Sequence, residues 1–445
     1  MTDPTTPEAT TRREIGFWTA AALVVGNMIG SGVFLLPATL AQYGGISMLG
    51  WLVTATGSVA LALVFASLAR LDQAAGGPYA YTRRAFGDLA GFLVGWGYWI
   101  STCCANAALA VAFVGYLDPF IPSIVRSPAS AALLAVATMW LIVGVNMRGV
   151  RAAGRVQVTT TLIKVLPLLL IGVAGLAAFE PAHFAVPQTN AAAVGRDLMA
   201  VVTLTLWAFL GLECATVPAG AVRDPARTIP RATIVGTLTA AVIYIVSTAG
   251  VMSVVPPATL ATTTAPFSDA ARALFGNGVA QLVAVGAAIS CLGALNGWVL
   301  MVGQLPLAIA RDGLFPKVFA RLSPRGAATS GMVISGVLST LLIAMNYTGG
   351  LVALFTFAIL LSTLSTLVPY VFCSLGWFLI DRRARAAGAA PRRGAAVIAA
   401  VAYIYAIGAI GGAGADVVFW GFLLMLSGLP VFVWVVRERP APVRG

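Results

Sequence analysis

Long apolar stretches separated by short polar or turn-rich segments dominate this chain. Twelve stretches are long enough to cross a bilayer, whose hydrocarbon core needs about 20 apolar residues per helix. They cover residues 16–38, 46–68, 88–117, 129–147, 156–178, 198–220, 232–254, 279–305, 329–346, 351–380, 395–412 and 416–436. The segments between them contain turn residues, such as Gly76-Gly77-Pro78. The pattern therefore predicts an all-α polytopic membrane protein with twelve transmembrane helices.

The composition supports a membrane location and argues against an enzyme. Of 445 residues, 59% are hydrophobic and 9% are charged, whereas soluble domains carry about 25% charged residues. The five cysteines lie in apolar stretches, and the single histidine, His183, lies in a polar loop. The sequence has no CxxC or HxxxH pair and no nucleotide-binding loop, so we expect no metal site, no cofactor and no enzymatic activity.

The positive charges are distributed unevenly among the loops. With the N-terminus in the cytoplasm, 23 of the 27 Lys and Arg residues fall in cytoplasmic segments, and only Arg126, Arg196 and Arg272 fall in outer loops. Cytoplasmic loops of membrane proteins carry such an excess. We therefore expect a multi-pass protein of the cytoplasmic (inner) membrane, with cytoplasmic tails at residues 1–14 and 437–445. The net charge of +12 then reports orientation, and we expect no nucleic-acid partner.

Two of the predicted helices contain glycine-rich interruptions. The first contains Gly-Asn-Met-Ile-Gly-Ser-Gly at residues 26–32, and the sixth contains Trp-Ala-Phe-Leu-Gly-Leu-Glu at 207–213. Each glycine costs about 1 kcal/mol in a helix, and broken helices persist in membranes where they line a cavity. Helices one and six are matching members of two five-helix halves, 15–180 and 197–380, which precede two further helices at 395–436. This arrangement is typical of secondary transporters built from inverted repeats.

An opened first helix offers groups that bind a zwitterion. The N–H groups of Ser31 and Gly32 would face an anion such as a carboxylate. Carbonyl groups near Met28, Trp207 and Leu210 would accept hydrogen bonds from an ammonium. An amino acid fits this pairing, and the alternative is that the glycines only form a close-packing helix surface.

Several motifs resemble one family of transporters. They include GNMIGSGVFLLPATLAQYGG, GGPYAYTRRAFG, TLTLWAFLGLECATV and DGLFPKVFAR. From about residue 15 to 436 the chain is similar to the APC superfamily, and within it to the basic amino acid/polyamine antiporters, above all the arginine/agmatine type. The resemblance implies the LeuT-type fold, in which helices one and six of two inverted five-helix repeats are broken, and it implies a homodimer.

The resemblance also implies roles for individual residues. The implied substrate contacts are Met28, Ser31, Gly32, Ser101, Thr102, Asn106, Trp207, Leu210, Trp298 and Ser362, and the implied gating residues are Tyr98, Glu213 and Tyr370. Trp207 would stack on a cationic side chain, an attraction of about 0.5–2 kcal/mol, while Asn106 and Ser362 would be neutral acceptors. The alternatives are that the tryptophans are packed or interfacial aromatics, that Asn106 joins two helices, and that Ser362 bonds to its own helix.

The chain departs from the arginine/agmatine type in two places. Ser101 and Thr102 stand where that antiporter has Ala-Cys, which makes the side-chain end of the pocket more polar. Asn296 stands where it has the first of two glycines before the tryptophan. Both departures argue against strict specificity for arginine and agmatine.

Two charged side chains, Lys164 and Glu213, lie inside predicted spans. A charge at mid-bilayer costs at least about 2.5–3.5 kcal/mol, so such residues are functional by default. We expect Glu213 to be a proton-sensitive gate, with a hydrogen-bonded structural carboxyl as the alternative. Proton-coupled relatives place a lysine of helix five where others hold sodium, which makes Lys164 a candidate for proton coupling. Its alternative is to snorkel toward the cytoplasmic surface.

These observations predict a secondary active transporter whose partners are amino acids, amines and the lipid bilayer. The favoured hypothesis is exchange of a basic, arginine-like amino acid for its decarboxylated amine, agmatine or a polyamine, by alternating access. The alternative is a proton-coupled amino acid symporter that uses Lys164 in place of a sodium ion.

Overall fold

The computed structural model describes residues 13–186, 190–263, 265–348, 352–390, 393–412 and 414–438, with side chains for all of these except 352–363. Predictions that concern residues 1–12, residues 439–445 or the side chain of Ser362 lie outside the described residues.

The described residues form eighteen α-helices. They are α1 (Phe17–Met28), α2 (Gly32–Leu40), α3 (Ile46–Leu71), α4 (Pro78–Phe86), α5 (Asp88–Gly115), α6 (Pro122–Val125), α7 (Pro128–Met147), α8 (Val150–Ala177), α9 (Ala191–Leu206), α10 (Pro225–Val254), α11 (Pro257–Leu260), α12 (Pro266–Phe275), α13 (Asn277–Arg311), α14 (Thr329–Tyr347), α15 (Val352–Ala386), α16 (Ala395–Gly412), α17 (Ala415–Leu426) and α18 (Leu429–Arg437).

Eleven helical segments are long and apolar enough to cross a membrane, with α17 and α18 counted together as one of them. The pair α1 and α2, which is bent by 42° at a short break, gives a twelfth span. Within the described ranges, the pairing of extended backbone is limited to one isolated bridge between Ile15 and Val222. The prediction of an all-α polytopic membrane protein with twelve spans is confirmed.

Several helices extend beyond the apolar stretches that predicted them. The fifth stretch, 156–178, belongs to a helix that begins at Val150, and the seventh, 232–254, belongs to one that begins at Pro225. The additional turns carry arginines, whose long side chains reach water while the backbone stays helical. The beginnings of α8 and α10 and the ends of α13 and α15 share one end of the bundle, which we call the arginine-rich end.

The sixth span differs most from its prediction of 198–220. Helix α9 begins at Ala191 and ends at Leu206, a 3-10 turn covers Trp207–Phe209, and Leu210 is extended. The backbone then turns irregularly as far as the 3-10 helix Ala219–Ala221. The half of this span nearer the arginine-rich end is therefore not a regular helix.

Helix α1 lies in the interior, where it packs against α8, α10 and α13. Glycines allow the close approach: a Cβ on Gly236 of α10 would lie 2.7 Å from Val24, and a Cβ on Gly154 of α8 would lie 2.6 Å from Thr19. These contacts place the break between α1 and α2 at the centre of the bundle, beside the irregular part of the sixth span.

Candidate functional site

The break in the first span brings opposite helix ends together. Helix α1 ends at Met28, and α2 begins at Gly32 with Ser31 as its N-cap, where no side chain caps the free N–H groups. The carboxyl end of α1 is the negative end of its dipole, and the amino end of α2 is the positive end. The site therefore presents acceptors and donors within a few residues of one another.

Gly211 fixes the matching break in the sixth span. Its φ of +107° lies where residues with a side chain are strained. A Cβ at this position would also lie 3.2 Å from Cβ of Asn27 and 3.3 Å from the ring of Trp298. Both the turn and the close approach of α1 and α13 thus require glycine here.

A cavity of about 490 Å³ lies at the two breaks. Its lining includes eight of the ten predicted substrate contacts, namely Met28, Ser31, Gly32, Ser101, Thr102, Trp207, Leu210 and Trp298. It continues past Thr39, Thr203 and Gly412 toward the end of the bundle opposite the arginines. The side chains that line it in the described part of the chain include no Asp, Glu, Lys, Arg or His.

A row of hydroxyl groups covers one wall of this cavity. Thr366 of α15 donates to Oγ of Ser101 at 3.1 Å, and Ser101 and Thr102 of α5 donate to the carbonyl oxygen of Tyr98 at 2.8 and 2.7 Å. Thr366 was not predicted to contact the substrate, although it lies one helical turn after Ser362 in the Ser/Thr-rich segment 362–366. That spacing could have identified it.

Asn106 does not line the cavity, although it was predicted to contact the substrate. It is fully buried on α5, and neither its amide nitrogen nor its amide oxygen has a hydrogen-bond partner among the described residues. An unsatisfied buried amide costs about 1–3 kcal/mol per group. Among the described side chains, Asn106 is therefore a buried amide whose hydrogen-bonding groups are not satisfied.

The three predicted gating residues form one cluster between the cavity and the arginine-rich end. Glu213 is fully buried, and its carboxylate oxygens accept hydrogen bonds from the hydroxyls of Tyr98 and of Tyr370, the latter at 2.5 Å. The N–H of Gly211 donates to Oη of Tyr370 at 3.3 Å. The ring of Tyr98 meets Trp298 edge to face, with centroids 6.5 Å apart. The cluster thus ties α5 and α15 to the broken sixth span.

Lys164 points into the protein and does not snorkel to the surface. Its ammonium is fully buried and donates to the carbonyl oxygens of Gly26 at 2.6 Å and Ile29 at 2.5 Å. Ser290 of α13 donates to the carbonyl oxygens of Ile29 and Gly30, both at 3.1 Å. A positive charge from α8 and a hydroxyl from α13 therefore hold the negative end of α1.

A series of buried polar side chains, joined by hydrogen bonds and not predicted from the sequence, lies behind the break. Asn146 donates to Asn296 at 3.1 Å, Asn296 to Gln157 at 2.8 Å, Gln157 to Asn27 at 3.4 Å, and Asn27 to the sulfur of Cys214 at 3.0 Å. Asn296 is not among the described residues that line the cavity, and its influence on substrate choice stays a prediction. The polar residues within otherwise apolar helices could have predicted this series of hydrogen bonds.

The bundle is closed at the arginine-rich end. The hydroxyl of Tyr79 donates to Asp312 at 2.8 Å, and Arg83 pairs with Asp312 and Asp88, each at 2.7 Å. Burial, reinforced by the charge of Asp312, raises the pKa of Tyr79 well above its usual value, which keeps this donor protonated. The N–H of Gly76 donates to the carbonyl of Val217 at 2.9 Å and closes the same region. The cavity therefore has access from the opposite end.

Comparisons with known proteins agree with this architecture. The chain is 34% identical to the cadaverine/lysine antiporter of Escherichia coli (strain K12) over 369 residues, 81% of this chain and 82% of that protein. It is 32% identical to the putrescine transporter PotE of Haemophilus influenzae over 429 residues, 95% of this chain and 97% of that protein. It is 31% identical to PotE of Escherichia coli (strain K12) over 416 residues, 92% and 93% of the two chains.

These relatives are named as transporters, which confirms the expectation that the chain is not an enzyme. The family model described as amino acid permease matches residues 15–436, almost the whole chain. The resemblance to the APC superfamily and its basic amino acid/polyamine antiporters is confirmed as well, and the chain belongs to the amino acid permease family of multi-pass membrane transporters.

Proposed function

We propose that the protein exchanges a basic amino acid for its decarboxylated amine by alternating access. The observation that carries the proposal is the cavity at the two helix breaks. It combines helix-end donors and acceptors with an aromatic face and a wall of hydroxyls, and its described lining contains no ionisable side chain.

The helix ends provide the groups that bind the α-carboxylate and the α-ammonium of the substrate. The N–H groups at Ser31 and Gly32 face the carboxylate, and the carbonyls of Met28, Trp207 and Leu210 face the ammonium. The carbonyl of Met28 already accepts from Gly30, and that of Trp207 from Leu210, but a carbonyl oxygen has two lone pairs and keeps one for the substrate. A decarboxylated amine gives up only the carboxylate contacts, so one site serves both substrates.

The side-chain end of the pocket suits a cation that must be released again. Trp207 lines the cavity and is 42% exposed, and a tryptophan face attracts guanidinium or ammonium groups. The hydroxyls of Ser101 and Thr366 offer neutral oxygen atoms, which hold a cation without an ion pair. Arginine with agmatine is the pair that the sequence resemblance favours. The names of the relatives support amine substrates. They make lysine with cadaverine one competing pair, and putrescine with ornithine, the amino acid that gives putrescine on decarboxylation, a second.

The proposed gating roles follow from which end of the cavity is closed and which end is open. Glu213 with Tyr98 and Tyr370 closes the path toward the arginine-rich end, which we place in the cytoplasm together with both termini. Asn106, which is buried without a hydrogen-bond partner among the described residues, becomes satisfied when a substrate draws the helices together. Movement of the inverted repeats 15–180 and 197–380 relative to each other then opens the cavity at one end of the bundle and closes it at the other. The homodimer stays a prediction from the resemblance.

Lys164 favours a second candidate, a proton-coupled amino acid symporter. Its ammonium bonds to the carbonyls of Gly26 and Ile29, the kind of ligand that a sodium ion would otherwise take at a broken helix. Loss of the proton would remove this attraction and release the end of α1, which would couple proton movement to opening.

Counterflow in liposomes separates the two candidates. Purified protein is reconstituted into liposomes that contain unlabelled arginine, agmatine, lysine, cadaverine, ornithine, putrescine or buffer alone, and uptake of labelled arginine or lysine is recorded. Exchange predicts uptake only with an internal substrate, fastest for a matched amino acid and amine. It also predicts a dependence on membrane potential, about 2.3 kcal/mol per charge per 100 mV.

Two results would count against exchange. Uptake into buffer-filled liposomes that follows an imposed pH gradient would support the symporter. Equal counterflow by neutral amino acids would refute the proposal that the substrates are basic. Liposomes without protein serve as the blank.

A further inference from the structure

The two N–H groups that we place on the substrate carboxylate belong to consecutive peptide groups. The N–H of Ser31 shares its peptide group with the carbonyl of Gly30, and the N–H of Gly32 shares its peptide group with the carbonyl of Ser31. Neither N–H donates a hydrogen bond to another described residue. Because a peptide group is planar and trans, its C=O and its N–H point in opposite directions. Any group that holds one of the two carbonyl oxygens therefore also sets the direction of the N–H on the same peptide group.

The hydroxyl of Tyr116 holds the carbonyl of Ser31. Tyr116 directly follows the last residue of α5 and donates to this oxygen at 3.3 Å. The N–H of Phe34 donates to the same oxygen, also at 3.3 Å, so both of its lone pairs are used. Ser31 and Gly32 line the cavity, whereas Tyr116 is not among the described residues that do. The N–H of Gly32 thus points away from Tyr116, which acts on the cavity through this peptide group.

Aromatic contacts hold the ring of Tyr116 in place. The ring meets that of Phe34 on α2 edge to face, with centroids 6.2 Å apart, and Phe34 meets Phe267 of α12 in the same way at 5.3 Å. Phe34 and Phe267 are both buried. Aromatic pairs of this geometry add to the stability that burial provides. Phenylalanine in place of Tyr116 would keep these ring contacts and lose only the hydroxyl.

The hydroxyl of Ser290 on α13 holds the neighbouring carbonyl in the same manner. It lies 3.1 Å from the carbonyl oxygen of Gly30 and 3.1 Å from that of Ile29, and its one proton is shared between them. The carbonyl of Ile29 also accepts from Lys164, so it keeps a donor when Ser290 is replaced by alanine. Among the described residues, the carbonyl of Gly30 has no other recorded donor. Each of the two peptide groups is therefore held by a hydroxyl from a different helix.

We propose that Tyr116 and Ser290 are positioning residues that raise the affinity of the cavity for amino acids relative to their amines. They orient the N–H groups of Ser31 and Gly32 toward one carboxylate. Hydrogen bonds at the carbonyl oxygen also polarise the peptide group and strengthen its N–H as a donor. A decarboxylated amine makes no contact with these N–H groups, so its binding does not depend on the two hydroxyls. The inference rests on the proposed function, which assigns the carboxylate to this break.

Calorimetric titration of the purified full-length protein in detergent tests the proposal. The ligands are four pairs of an amino acid and its decarboxylated amine: arginine with agmatine, lysine with cadaverine, ornithine with putrescine, and leucine with isopentylamine as a neutral pair. Tyr116→Phe should lose about fivefold in affinity for the amino acid, the usual effect of one hydrogen bond. It should lose less than twofold for the amine, and Ser290→Ala should show the same difference.

The matched control is Tyr405→Phe. It removes a hydroxyl that lies 3.3 Å from Oγ of Ser58, and Tyr405 is not among the described residues that line the cavity. The hydrogen bond lost is of the same length as that of Tyr116, but it joins α16 to α3 and has no part in the break. This variant should bind amino acids and amines as wild type does.

Two results would overturn the proposal. An equal loss for the amino acid and its amine would make the hydroxyl of Tyr116 merely structural, and an unchanged affinity of Tyr116→Phe for the amino acid would show that it does not position the N–H groups. Failure of the proposed function looks different, because wild type would then bind only the neutral pair. The comparison of leucine with isopentylamine would still decide the role of Tyr116. If Ser290→Ala does not assemble, Tyr116→Phe alone decides the outcome, since it keeps the ring contacts.

Discussion

Replacement of Trp207 by leucine removes the aromatic face of the cavity and leaves an apolar side chain in its place. Trp207 lies at the end of α9, in the 3-10 turn that precedes the break, and lines the cavity beside Leu210. It has no charge of its own, so the substitution changes only the attraction between the ring and a substrate cation and part of the apolar contact. The two effects separate when a charged ligand is compared with a neutral ligand of the same shape.

The expected loss of binding free energy follows from the exposure of the Trp207 ring. A cation–π contact contributes about 0.5–1 kcal/mol at exposed sites and about 2 kcal/mol when it is desolvated. Because Trp207 is 42% exposed inside a cavity, we expect about 1 kcal/mol, which is about a fivefold loss of affinity. Citrulline has the shape of arginine but a neutral urea group, so its affinity should change by less than twofold, since cation–π attraction is missing from the start.

The assay is competition of arginine and citrulline against labelled arginine on purified protein in detergent. Trp207→Phe should lose less affinity for arginine than Trp207→Leu, because phenylalanine attracts cations less strongly than tryptophan but more than leucine. The control Trp434→Leu changes an exposed tryptophan of α18 and should leave both ligands unaffected. An equal loss for arginine and citrulline, or no loss for arginine, would refute the stacking role of Trp207.

Two further substitutions test the helix breaks. Lys164→Met leaves the carbonyls at the end of α1 without their charged donor, a penalty of about 1–3 kcal/mol per unsatisfied group; we expect transport in liposomes to fall about tenfold or more, whereas Lys317→Met, at an exposed lysine, keeps wild-type rates. Retained exchange with an unchanged pH profile would reduce Lys164 to a structural role. Gly211→Ala adds a side chain at φ +107° and should cost about 1–3 kcal/mol of stability, measured as a lower midpoint in thermal unfolding. Gly195→Ala, inside α9 where a Cβ meets nothing within 4 Å, should leave stability unchanged or raise it by up to about 1 kcal/mol. A Gly211→Ala variant as stable as wild type would contradict our account of the sixth span.

The apolar pattern was sufficient to predict twelve spans but not where each helix ends. Helix α8 begins at Val150 and α10 at Pro225, well before the apolar stretches begin. Hydropathy depends on the side chain, whereas a helix is formed by the backbone. Arginines such as Arg155 and Arg231 end an apolar stretch but not a helix, because their long side chains reach water while the backbone stays helical. In the sixth span the reverse occurred, because an apolar stretch continued past Phe209 although the backbone turns at Gly211.

The sequence by itself determined the composition of the site. Glycine-rich breaks, one intramembrane lysine and one intramembrane glutamate can be identified without coordinates, because each is costly in a lipid-facing helix. Only the tertiary structure decided what these residues contact. It turned Lys164 toward the end of α1, placed Glu213 between two tyrosines, and assigned Asn296 to a buried chain of amides instead of the cavity. Hydrogen bonds between residues more than 100 positions apart depend on how the helices pack, and a one-dimensional pattern of polar positions does not contain that packing.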